Sequence, residues 1–231
     1  MNSQTYPAPI PVINLDVNSR SRFITRTYSH LLGALAAFTL IEIFFFKSGL
    51  AQPMAKAMLG TSWLLVLGGF MLVSWLARSA AHSAQSKSTQ YAALASYVVG
   101  QAILFVPLLC IADRFAPGAI ISAALVTALA FSGLTMVAFI TRKDFSFLRG
   151  ILFWAGIVAL VLIVAGAIFG FQLGVYFSVA MVGIAGAAIL YDTSNVLHHY
   201  PEDRYVAASL ELFASVALML WYVLRIFLSR R

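Results

Sequence analysis

Charge is scarce in this chain. Asp, Glu, Lys and Arg make up 10% of its 231 residues, and only eight of those residues are acidic. An ordinary soluble domain carries roughly 25% charged residues, so a water-solvated globule is excluded. Cysteine is scarcer still: the lone Cys110 excludes an intramolecular disulfide and, inside an apolar run, reads as a small core residue. No HExxH helix, phosphate-binding loop, nucleophile elbow or cysteine-histidine pairing occurs, so the chain reads as a non-enzyme.

What is present in quantity is apolar surface, with 61% of residues hydrophobic. The apolar runs recur along the chain, each near the roughly 20 residues that carry a helix across about 30 Å of hydrocarbon. In lipid only helices and closed barrels satisfy their own backbone, and these runs are too long and uniform for barrel strands. The expected fold is an all-α integral membrane protein with seven spans, at 26–47, 56–77, 91–112, 118–140, 147–169, 173–195 and 205–228. Residues 1–22 lack the continuous apolar core of a signal peptide and carry three prolines, and read as a flexible polar tail ahead of one domain over 23–231. Gly183 and Ala187, four apart in the sixth span, have helix-packing spacing and mark that helix as an interior one.

A net charge of +7 on a soluble protein would suggest nucleic acid. Here the cations are scattered over short loops, where they set orientation and meet anionic headgroups, so the lipid bilayer is the partner and nucleic acid is not. An inside N-terminus assigns Arg20, Arg22, Arg26, Arg78, Lys87, Arg142, Lys143, Arg149 and Arg204 to the cytoplasm, against Lys47, Lys56 and Arg114 outside. That contrast of nine to three falls to nine against six once Arg225, Arg230 and Arg231 are counted outside, and the early spans decide for a cytoplasmic N-terminus.

Three acidic residues fall within spans: Glu42, Asp192 and Glu211. A carboxylate at that depth costs a few kcal/mol, so it faces the bundle interior, finds a partner or reaches the interface. Asp192 lies in the last turn of the sixth span, where desolvation and the helix dipole both disfavour a negative charge. Arg78 ends the second span on the same side, so an Asp192–Arg78 pair could hold two helices together at neutral pH and release on protonation. The alternative is that both side chains snorkel to the interface. Glu211 and Ser215, four apart, share one face of the seventh span and could line a polar path beside Asp192. Glu42, near the outer end of the first span, reads as a snorkelling residue. His198 and His199, with Glu202 and Asp203 nearby, are weak metal candidates because their spacing matches no standard zinc pattern. The Tyr191–Asp192 pair also brings intramembrane aspartyl proteases to mind, but the chain lacks the Gly-x-Gly-Asp partner motif they use.

The stretches "AAILYDTSNVLHHYPEDRYVAASLELF", "TRKDFSFLRGIL" and "TYSHLL" resemble the Bax inhibitor-1 family, most closely its bacterial YccA-like branch, from about residue 25 to the C-terminus. The resemblance implies a seven-helix fold whose last helix is central and surrounded by the other six. It also implies a pH-dependent calcium leak in which Asp192 acts as proton sensor and Arg78 bonds to it in the closed state. The family's second aspartate, in the last helix, is replaced here by Ser215, which puts a two-carboxylate titration in doubt and leaves Glu211 as a substitute. The YccA branch implies a different role: binding the membrane protease FtsH and its HflK/HflC partners, with the N-terminal tail involved. The expected function is therefore a calcium leak of the bacterial inner membrane, alternatively a modulator of FtsH, with no cofactor beyond calcium as the transported ion.

Overall fold

The computed structural model describes residues 10–229. Eight α-helices follow one another: α1 Val17–Lys47, α2 Ala51–Leu59, α3 Trp63–Ser83, α4 Lys87–Phe115, α5 Ala119–Thr141, α6 Leu148–Phe169, α7 Val175–His198 and α8 Tyr205–Ser229, with single 3₁₀ turns at Val12–Asn14 and Glu202–Arg204. All but the short α2 are long and apolar enough to cross a membrane, which gives seven spans.

The second span lies further along than its hydropathy places it, over Trp63–Ser83 rather than 56–77. Gly60 ends α2, returning its N–H to Lys56 O, and Ser62 turns extended before α3 begins. Gly60, Thr61 and Ser62 are small and close to neutral on hydropathy scales, so the break leaves the apolar run unbroken in the sequence. The first span also starts early. The carboxylate of Asp16 accepts the N–H groups of Asn18 and Ser19 at 3.0 and 3.1 Å, satisfying two donors that a helix start leaves free.

Within the expected 1–22 tail, Val12–Asn14 forms a 3₁₀ turn and α1 already begins at Val17, while residues 1–9 lie outside the described residues. Val12 is fully buried and gives its N–H to Tyr200 O at 2.9 Å, while Pro11 and Pro201 form an antiparallel bridge. Proline supplies no N–H, so the bridge stays a single rung.

The last helix is central: α8 packs against α1, α3, α4, α5 and α7. α4 shares the interior with it, and these two spans bury far more of their apolar length than the others do. α6 sits outside, packed on α7 and meeting α3 only lightly. Aromatic edges join the inner helices, with Phe105 of α4 against Phe38 of α1 at 5.2 Å and against Trp221 of α8 at 5.0 Å, both at 83°. The packing face read from the Gly183 and Ala187 spacing is not at Gly183, which is exposed. The close approach is at Gly186, where an added Cβ would meet Leu134 Cδ1 at 3.3 Å. Pro107, inside α4, cannot donate to the carbonyl one turn back and lines the interior beside α8.

One end of the bundle, the near end, carries the α3–α4, α5–α6 and α7–α8 connections and is laced by polar contacts. Arg204 donates to Ala84 O, Lys87 to Asp203 O, and Gln90 to Ala84 O at 2.9 Å. The Phe145 N–H reaches Ser194 Oγ at 2.9 Å, so the "RKDFSFL" and "TSN" segments touch.

The Asp16 cap has a defined pH signature. Hydrogen bonds from the Ser19 hydroxyl and N–H lead the groups that hold its carboxyl below the usual carboxylate range. A depressed folded-state value means that the cap stabilises fully above the unfolded value of about 3.9 and is lost as pH falls through the folded one. Amide exchange protection at Asn18 and Ser19, corrected for intrinsic rates, should hold at neutral pH and collapse in acid. Asp16→Ala should lose it at every pH.

Candidate functional site

Inside the near half of the bundle, four charged or titratable side chains converge. Arg78, near the end of α3, bonds Glu211 of α8 through a salt bridge. His82, one turn beyond Arg78 on the same helix face, reaches the other Glu211 oxygen at 3.1 Å. The Arg78 guanidinium also lies 5.8 Å from the ring centre of Tyr97 on α4, within cation–π range. Asp192 of α7 accepts a hydrogen bond from the Ser215 hydroxyl of α8 at 2.5 Å.

The structure thus gives Arg78 a different partner from the expected one: Glu211, not Asp192. The reason is helix geometry. Glu211 and Ser215 stand one turn apart on the face of α8 that looks between α3 and α7, so the lower position takes the cation and the upper one takes Asp192. Glu211 and Asp192 line the same cavity, and Ser215, one turn from Glu211, bonds Asp192 alone. Glu211 is 14% exposed and Arg78 43%, so the pair faces a space rather than packed side chains.

That space is a cavity of about 790 Å³ bounded by α3, α4, α6, α7 and α8. Along α8 it follows one stripe from Glu211 through Ser215, Leu218, Trp221 and Tyr222 to Arg225. From Glu211 to Arg225 the stripe takes 14 residue steps, or about 21 Å at 1.5 Å per residue, most of a hydrocarbon core. Arg78, Asp192 and Glu211 stand at its near end and Arg225 at its far end, with largely apolar walls between.

The near end continues outward through stacked rings. His82 lies on Tyr200 at 5.9 Å and Tyr200 on Phe23 at 6.4 Å, and the Tyr200 carbonyl holds Val12. His82, Tyr97 and Tyr200 were not singled out from sequence. The spacing of Arg78 and His82, four apart, was the available signal for the first, whereas the tyrosines are brought in by tertiary packing alone.

The remaining candidates lie elsewhere. His198 is buried and bonds Ser194 O through Nδ1 at 2.9 Å. His199 faces the other way, to Asp144 at 2.9 Å. Desolvation is the largest single influence on Asp144 and pushes its carboxyl up, but the Ser146 N–H and hydroxyl and His199 together hold it below the usual range. Among the described residues no group of three or more His, Cys, Asp and Glu could hold a metal. Glu42 does not snorkel: it is 7% exposed, and neither carboxylate oxygen has a hydrogen-bond partner among the described residues.

The charge pair makes a stability prediction. Glu211→Gln leaves Arg78 without its counter-charge and should cost about 1–3 kcal/mol, toward the lower end because Arg78 is partly exposed. Asp192→Asn should cost less, because its side-chain oxygen still accepts from Ser215. Thermal unfolding in detergent measures both, and equal costs would refute this ranking.

Comparison with known proteins places the chain among relatives. Residues 20–231 match the family model described as inhibitor of apoptosis-promoting Bax1. An uncharacterized protein of Pseudomonas aeruginosa is 36% identical over 111 residues, covering 47% of this chain and 49% of that protein. The Escherichia coli K12 protein named modulator of FtsH protease YccA is 36% identical over 91 residues, covering 39% of this chain and 41% of that protein. An E. coli O6:H1 protein named inner membrane protein YccA matches to the same extent. The matched segments span half or less of these relatives' lengths.

Proposed function

The chain belongs to the Bax inhibitor-1 family, and we propose that it is a pH-sensitive cation leak, with calcium as the transported ion, closed at its near end by Arg78, Glu211 and Asp192. The single observation that carries this reading is a cavity along most of the hydrocarbon depth with two carboxylates and an arginine gathered at one end. The near end is the cytoplasmic one, in accord with the cations on its loops.

The closed state follows from charge. Arg78 neutralises Glu211 and occupies the space a cation would need. Uptake of a proton by Asp192 removes the second negative charge near Arg78 and so loosens the hold on Arg78 at the near end. His82 bonds the other Glu211 oxygen and so adds to the hold on that carboxylate while Arg78 stays in place. Calcium prefers six to eight oxygen ligands. Two carboxylates and a serine hydroxyl fall short of that number, which suits an ion in passage better than one bound tightly.

A second reading rests on the similarity to the protein named modulator of FtsH protease YccA. Here the bundle is a non-catalytic partner of that protease, with or without HflK/HflC, in a bacterial inner membrane. The bridge between Pro11 and Pro201 makes the N-terminal segment and the α7–α8 turn one continuous near-end surface, which supports such a role.

Calcium flux into liposomes holding the purified chain, across the range of about pH 5 to 8 in which histidine also titrates, tests the leak. Flux should rise as pH falls, be high at every pH in Glu211→Gln and Arg78→Ala, and lose its pH dependence in Asp192→Asn. Flux no greater than in empty liposomes at all pH values would sink the leak. For the second reading, the chain should capture solubilised FtsH. Removal of residues 1–9 is the informative truncation, since removal of 1–22 would also take the Asp16 cap and Val12. Retention of FtsH at background level by the intact chain would refute it.

A further inference from the structure

We infer that the far half of the central cavity is a binding site for a single-chain anionic amphiphile, a long-chain carboxylate whose head sits on Arg225. Arg225 lies in the last two turns of α8 and lines the cavity. Its one polar contact among the described residues is Leu173 O at 3.4 Å, long for an N–H···O bond, and its guanidinium lies 5.9 Å from the Tyr222 ring centre. No described carboxylate lies within salt-bridge range of it. Arg78, at the other end of the same cavity, has a carboxylate. Arg225 thus brings five donors and a full charge into a membrane-spanning bundle with one weak acceptor, and it needs an anion from elsewhere.

The space beside it specifies the rest of that anion. A guanidinium fork fits a carboxylate through two parallel hydrogen bonds. Below the fork the walls are Leu67, Leu104, Leu108, Ile163, Leu218 and Trp221, which offer an inorganic anion no further partner and suit a hydrocarbon chain. The volume of about 790 Å³ falls within the roughly 300–1,000 Å³ of small-molecule sites. Access is from the side: α3 and α6 meet only lightly, and the α6 wall there is formed by Gly166 and Ala167. Such a ligand enters from the bilayer, head at the interface with Arg225 and tail toward Ser215. The inference is independent of ion conduction, because binding requires neither an open near end nor flux.

Trp63 and Trp221 stack 6.1 Å apart and both line the cavity, so they report on what fills it. Trp75 and Trp154 are 66% exposed and are replaced by Phe to silence the lipid-facing signal. In that full-length background in detergent, dibrominated stearate should quench fluorescence saturably. Arg225→Gln should weaken its half-saturation about tenfold, Arg225→Lys should retain most of the affinity, and brominated stearyl alcohol should behave like the Gln variant. Brominated phosphatidylglycerol separates the two sources of an anionic head with an acyl chain and should quench more weakly than the free carboxylate. Equal quenching by acid and alcohol, an unchanged half-saturation in Arg225→Gln, or tighter quenching by phosphatidylglycerol would each overturn the assignment. Loss of the stearate signal in Arg225→Gln with retention in Arg225→Lys would separate the charge effect from misfolding.

Discussion

A guanidinium inside a helix bundle in lipid must have its charge answered, and in this protein the answer is Glu211. Neither charge is tolerable at that depth alone, so the pair fixes the distance and rotation between α3 and α8. Because α8 is the helix around which the bundle is arranged, fixing its rotation also fixes which residues face the cavity. Ser215 then points at Asp192, and Leu218, Trp221 and Arg225 follow along the same stripe. The partial exposure of Arg78 shows that the pair closes a space instead of filling it.

The two ends of the bundle are held by different physics. At the near end, side chains of Lys87, Gln90, Arg204 and Ser194 bond to backbone groups of neighbouring connections, tying loops that would otherwise move separately. At the far end the closure is softer, with Arg225 reaching the Leu173 carbonyl and the Trp63–Trp221 stack. The near end is thus held by specific polar contacts, while the far half is lined mainly by aromatic and aliphatic side chains. This division of rigidity follows from where polar partners are placed along otherwise similar apolar helices.

Much of this was legible in the sequence because bilayer thickness imposes one length on every span, and a run of apolar residues of that length has few alternatives. The break at Gly60–Ser62 was not legible, since small neutral residues interrupt a helix without interrupting its hydropathy. Nor was the ordering of residues 10–16, which depends on one rung to Tyr200, distant in the chain. Asp192, Arg78, Glu211 and Ser215 were recognisable as polar residues in apolar surroundings, and all four meet at one cavity. Their pairing was not recognisable, because a choice between two carboxylates for one arginine is settled by helix rotation, which spacing along a single helix leaves free. Topology and then the resemblance pointed Arg78 toward Asp192, while Glu211 stood one turn from Ser215 on the same face of α8.

The Val12–Tyr200 rung gives the bundle a mechanical character. Tension applied to the chain ahead of Ile10 is borne by that rung before it reaches the first turn of α1, so the load arrives at the α7–α8 turn, some 190 positions away in sequence. The Tyr200 ring is sandwiched between Phe23 and His82, and His82 grips Glu211. A load on the segment that carries Val12 therefore has a sideways route, across stacked rings, to the carboxylate at the near end of the cavity.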